Sequence, residues 1–226
     1  MFINTSGIVL REVTYKDSSK ILTVLTSSEG KLTVSAHGAH RKNSKLAAVT
    51  GLLVFSEMTL LKKKDRWTMT EARSVEQFLG LRDDLKLLSL GSYIAELTEA
   101  VADEDSPNPE LLPLCLNTLY ALSEKIKTPE FVKPVFELRL MALSGFEPQL
   151  NHSTEKGSSS LEEGTLKLSP EALKAAEYIL SCNSKKLFSF TLNDSALKEL
   201  SKTTETYLLT HLDRTFRTLD YFHKVK

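Results

Sequence analysis

With 226 residues the chain has room for one large domain or two small ones, each able to bury its own core, and its 29 Lys and Arg balance 29 Asp and Glu. Overall charge therefore says little about partners, but its distribution does: residues 1–75 hold 12 basic against 6 acidic side chains, and residues 76–150 hold 6 against 13. No run approaches the about 18 apolar residues of a membrane span, and residues 1–8 are neither basic nor apolar enough for a secretory signal, so the sequence excludes those classes and predicts a soluble, cytoplasmic protein.

The first third reads as strands over residues 5–15, 20–26, 30–37, 52–62 and 67–75, each rich in Val, Ile, Leu, Thr or aromatics and separated by polar punctuation. Ser27-Ser28-Glu29-Gly30 supplies a hairpin turn, and Asp65-Arg66 a second tight connection. A short apolar piece, Leu46 to Val49, falls between the third and fourth strands. Five short strands with an insert after the third form the pattern of an OB-fold, a small barrel whose face and loops commonly hold single-stranded nucleic acid.

The basic charge of this region gathers in one stretch. Lys31 lies on the third strand, and Gly38 ends that strand's alternation. His37, His40, Arg41, Lys42 and Lys45 then follow in a loop where nothing apolar demands their burial and no neighbouring carboxylate neutralises them. A polyanion is the natural partner of such a group, against the plainer reading of ordinary solvated charge. Lys62, Lys63, Lys64 and Arg66 form a second basic group ahead of Trp67; edge protection and a core tryptophan are the competing explanation there.

Beyond residue 75 the period becomes helical. Asp83 and Asp84 start a helix through Leu85, Leu88, Tyr93, Leu97 and Val101, which stops at the acidic, proline-punctuated residues 103–109. Helices over 109–123 and 128–144 follow, the second capped by Thr128-Pro129, with Pro134 predicting a kink or a later start near Lys133. Residues 146–169 lose periodicity and read as a loop or small hairpin. Ser169-Pro170-Glu171 opens another helix, and a last long helix carries the stripe Leu197, Leu200, Thr204, Leu208, Leu212, Phe216 and Leu219, with Arg214 and Arg217 on its other face. Cys115 and Cys182 both fall in apolar helical patterns, which predicts reduced, buried thiols. The predicted class is α+β: an OB-fold domain over 1–75, then an all-helical domain over 76–226 with a loop or hairpin insertion.

Several runs carry a family resemblance: Gly7-Ile8-Val9-Leu10-Arg11 with Tyr15, Ile21 to Thr26, Glu29-Gly30-Lys31, His37-Gly38-Ala39 and Arg41-Lys42-x-Ser44. Together with Tyr93-Ile94-Ala95-Glu96-Leu97, Phe136-Glu137-Leu138-Arg139-Leu140 and Gly145-Phe146-Glu147-Pro148, they resemble RecO, the bacterial recombination mediator family, across essentially the whole chain. The resemblance implies a non-enzymatic protein of gap repair, associated with the nucleoid. It would bind single- and double-stranded DNA through the barrel, anneal complementary strands, and with RecR help load the recombinase RecA on DNA coated by single-strand binding protein. It also implies that the helical domain meets the acidic, apolar C-terminal tail of that coating protein.

Carried over by position, Lys31, Arg41 and Lys42 match the family's basic barrel residues; His37, Lys45, Lys63 and Arg66 join them as candidates for DNA contact, and Arg139 is a weaker candidate for a peptide carboxylate. Many members have four cysteines after the Gly-Phe-x-Pro turn as a zinc site. Residues 151–169 here contain none, and His152 alone cannot hold zinc, so no structural metal or other cofactor is expected. No P-loop, His-Glu-x-x-His or Gly-x-Ser-x-Gly pattern points to an enzyme. The alternative is a protein-interaction adaptor whose barrel does not bind DNA.

Overall fold

A computed structural model describes residues 1–15, 17–41, 44–152 and 164–225. Five strands, β1 (Phe2–Tyr15), β2 (Ser19–Thr26), β3 (Gly30–Ala36), β4 (Phe55–Lys63) and β5 (Arg66–Glu76), close into a barrel in the order β1-β2-β3-β5-β4. All neighbours are antiparallel except β3 and β5, which run parallel through Val34–Trp67 and Ser35–Thr68. β1 serves two partners, pairing β4 with its first half and β2 with its second. The register shift between Val9 and Arg11 bends the strand from one to the other.

Alternation decides what each strand buries. Val9, Leu22, Val24, Leu32, Val34, Met58, Leu60, Trp67 and Met69 point inward and fill the barrel, whose end is plugged by Val49 of the short helical turn Ala47–Val49. On the opposite face, Ile8, Leu10 and Leu25 join the core of the helical region. That face is therefore covered at one end and open at the other. Trp67 belongs to the barrel core, with Lys62 Nζ 5.0 Å from its ring centroid, so it offers no face to a base.

The helices are α1 (Leu85–Val101), α2 (Leu111–Ser123), α3 (Pro129–Leu143), α4 (Pro170–Ser181), α5 (Asp194–Leu212) and α6 (Arg217–Lys224). Asp84 caps α1 by accepting from the Lys86 and Leu87 amides. α3 starts at Pro129 and continues through Pro134, so the later start near Lys133 does not occur. β6 (Gln149–His152) and β7 (Thr165–Leu168) pair in parallel, which rules out a hairpin between them; residues 153–163 of this insertion lie outside the described set. None of the described helices is long and apolar enough to cross a membrane.

The predicted single C-terminal helix is two helices. Asp213 turns left-handed (φ 46°), and α6 folds back onto α1, where Phe216 meets Tyr93 edge-on at 5.8 Å and Thr218 donates to Glu96. The stripe persists through the break because both helices bury it in one core. Cys115 is buried and Cys182 only partly so, a departure from two buried thiols. Burial pushes the Cys115 thiol up to about 12. In the folded protein a thiol-specific disulfide reagent at neutral pH is therefore expected to modify Cys182 alone, with Cys115 reacting only once denaturant opens the core. Equal rates for both would contradict this packing.

Candidate nucleic-acid interface

The loop after β3 is built rather than loose. Ala39 tucks into the barrel core, the His40 amide donates to the Ser18 carbonyl (3.1 Å), and the His40 ring pairs with Thr14 Oγ1 (3.1 Å). These contacts pin the loop to the β1–β2 turn. Arg41 N donates to Gly38 O and Ser44 N to Arg41 O, both at 3.0 Å, folding the chain back on itself. Gly38 has φ +71°, a left-handed position that favours glycine, and the Arg41 side chain lies against it.

On this frame His37, Arg41 and Lys45 are exposed together. Lys42 lies outside the described residues. Some surface cations pair with carboxylates, as in Lys20–Glu12, Arg73–Glu57 and Lys86–Glu130; among the described residues no carboxylate pairs with His37, Arg41 or Lys45. Unneutralised cations fixed on one loop form a field that favours a polyanion.

The other candidates fall elsewhere. Lys63 and Arg66, opposite one another across the β4–β5 turn, are exposed and unpaired by carboxylates among the described residues. The parallel Val34–Trp67 register places Arg66 level with Thr33, midway along β3, and the β4–β5 turn runs from there away from the His37 loop. Lys31 lies about 20 Å of strand from His37. It is half-buried against the helices: its ammonium donates to Glu99 O and its amide to Asp103 O, both at 3.0 Å. Arg139 is largely committed, donating to the Ile179 and Leu180 carbonyls at the end of α4 and pairing with Glu110 at 3.1 Å.

Two features escaped the sequence reading. The outward face of β1 carries Arg11, Val13 and Tyr15, each exposed, on the open part of the barrel. A cleft of about 620 Å³ between barrel and helices collects Arg11, Lys31, Arg214 and Arg217 along with Glu12, Glu96 and Glu99. Arg11 pairs with Glu99 at 2.9 Å, while Arg214 and Arg217 have no carboxylate partner among the described residues. A strand through residue 15 was readable from sequence; that residues 11, 13 and 15 lie on the barrel's outward face follows only from the register with β2.

Two family models match the chain, Recombination protein O N terminal over residues 1–78 and Recombination protein O C terminal over residues 82–220. The chain belongs to the RecO family. A DNA repair protein RecO from Acetivibrio thermocellus is 32% identical over 97% of this chain and 96% of its own length. That of Caldicellulosiruptor bescii is 31% identical over 99% of each, and that of Bacillus subtilis 32% identical over 67% of this chain and 59% of its own. The barrel and the helical region correspond in order to the two RecO models, so family and fold agree along the chain.

Proposed function

We propose that this RecO-family protein is a non-enzymatic DNA repair and recombination mediator that binds single- and double-stranded DNA through the 1–75 barrel. The observation that carries the reading is the pinned loop holding His37, Arg41 and Lys45 without carboxylate partners, with Lys42 adjacent in sequence. Lys63 and Arg66 form a second contact region on the barrel, and Lys31 works from the barrel–helix seam. Two strands held on one basic surface repel each other less, which favours annealing. By family resemblance the protein acts with RecR in loading the recombinase on DNA coated by single-strand binding protein.

The 76–226 helical domain takes that coating protein's C-terminal tail. A groove of about 600 Å³ between α3, α5 and α6 has Leu197 and Phe222 in its wall and Lys198 and Lys202 beside them; Glu130, Asp194 and Glu205 line it too, so its apolar wall and the two lysines are what support that part of the reading. It suits an acidic, apolar tail better than Arg139, whose guanidinium already holds α4 and Glu110.

Each phosphate neutralised on single-stranded DNA contributes about −0.7 to the slope of log K against log salt, so four contacts give a slope of about −3. Fluorescence anisotropy of a labelled single-stranded oligonucleotide is expected to show that dependence. Arg41→Glu with Lys42→Glu, still folded by circular dichroism, should bind more weakly with a slope shallower by about 1.4. If the native protein fails to bind even at low salt, the barrel has no DNA role, and an adaptor working through its helices takes its place.

A further inference from the structure

The open end of the barrel's outward face holds apolar surface where a solvated strand would hold polar side chains. Val13 and Tyr15, near the end of β1, are each 49% exposed. Tyr15 lies opposite Ser19 on β2; one pair further along β2, Lys20 lies opposite Ala36 on β3, so Ser19 is level with His37. Tyr15, Ser19 and His37 thus form one row across three strands, at the edge from which the Arg41 loop rises. The next row is Val13, Ile21 and Ser35, and the one after it Arg11, Thr23 and Thr33.

An aromatic ring and an imidazole therefore sit at one end of an open sheet face, on the side from which the loop of Arg41 and Lys45 rises; Arg11, further down, is already paired with Glu99. An apolar protein segment would have to cover those cations without compensating them. A single DNA strand satisfies both features, because its phosphates meet the cations while its bases present flat π-faces to the ring. In a duplex the bases are stacked on one another and offer no such face.

We infer that Tyr15, with His37 in the same row on the far side of Ser19, is a nucleobase-stacking site that selects single-stranded over duplex DNA; this rests on the DNA-binding reading above. The basic loop sets affinity for the backbone, common to both forms of DNA, and the ring adds a term only an unstacked base receives. Because stacking transfers no counterion, removing the ring should weaken binding without changing its salt dependence, the reverse of what neutralising Arg41 does.

The test compares native protein, Tyr15→Ala and Tyr15→Phe against an oligothymidylate of about 15 nucleotides, within the span of one such barrel, and against a duplex, each over a salt series. Tyr15→Ala should lose about tenfold in single-strand affinity, the scale of one base–aromatic stack, with an unchanged salt slope and unchanged duplex affinity. Tyr15→Phe should bind as the native protein does. Native binding with an unaffected Tyr15→Ala variant overturns the stacking site and leaves the DNA role standing. A loss shared by the duplex, or one with a shallower slope, also overturns it, since the ring would then only be supporting the basic loop. Absence of native binding to either DNA defeats both readings together.

Discussion

Lys133→Met should destabilise the protein by about 3–5 kcal/mol, the scale of removing one partner from a buried ion pair. Lys133 is 2% exposed and Glu137, one turn on in α3, is fully buried; the ammonium lies 2.8 Å from Glu137 and 2.6 Å from Glu205 on α5. Glu137 also accepts from Tyr93 of α1 (2.8 Å) and Thr204 of α5 (3.0 Å), while Glu205 reaches His223 of α6 at 3.1 Å. One cation thus holds together a network drawn from four helices. Burial raises the Glu137 carboxyl above its ordinary value despite the pull of Lys133. Burial also pushes Glu205 up, but Lys133 and His223 more than offset it, and that carboxyl lies below the usual range.

Without the ammonium, Glu137 would be raised further, and the sign of its pH dependence follows. A carboxyl with a folded pKa above its unfolded value favours the folded state in acid, below the ordinary Glu value of about 4.3, and that support is lost as pH rises through the folded pKa. The variant's deficit relative to the native protein should therefore be smallest in acid and grow toward neutrality. Thermal unfolding should show a midpoint about 10 °C lower at neutral pH. Adding Glu137→Leu should recover much of the loss, because an apolar pair is tolerated where a lone buried charge is not. A single-variant cost below about 1 kcal/mol, or a deficit independent of pH, would contradict this account of the network.

The barrel was legible because strands half-buried on a curved sheet must alternate, and they do so between obvious turn residues. The misjudged boundaries have particular causes. Leu52, Leu53 and Val54 look like the beginning of β4, but Leu53 has φ 65° and packs into the helical core, so its apolarity serves the seam instead of the ladder. Phe216 and Leu219 keep helical spacing across Asp213, and spacing alone cannot show that the backbone reverses there to bring Phe216 to Tyr93.

The placement of charge divides in the same way. His37, Arg41 and Lys45 could be found from sequence because a loop whose single apolar side chain is the small Ala39 leaves its cations exposed. Lys31 and Arg139 could not be placed, since the carbonyls that hold them come from residues 68 and about 40 positions away. Tyr15 required the β1–β2–β3 register before its exposure acquired a neighbour with chemistry to share.

Gly30→Ala should cost about 3 kcal/mol or more and loosen the barrel from the helices. Gly30 has φ +69°, and a Cβ there would stand 2.5 Å from the Ser106 carbonyl oxygen, 2.7 Å from its carbon and 2.9 Å from its nitrogen. These are backbone atoms that no rotamer change can move. The same turn is tied down by Lys31 N to Asp103 O, by a bridge from Lys31 to Glu104, and by the Lys31 ammonium on Glu99 O. To make room, the segment after α1 must withdraw, which uncovers Leu25 on the barrel's outward face.

Gly145 supplies the control. It too has a left-handed backbone, φ +82°, but among the described residues nothing beyond its own chain neighbours lies within 4 Å of its would-be Cβ. Gly145→Ala pays the backbone penalty alone, about 1 kcal/mol. Denaturant unfolding of the two variants separates conformational strain from the close approach, and the excess for Gly30→Ala, about 2 kcal/mol or more, measures the seam. Limited proteolysis should then cut the Gly30 variant between residues 102 and 109 under conditions that leave the native protein and Gly145→Ala intact. Equal stability losses in the two variants, with no new cleavage, would mean that the seam yields without cost and that Gly30 serves only its own turn.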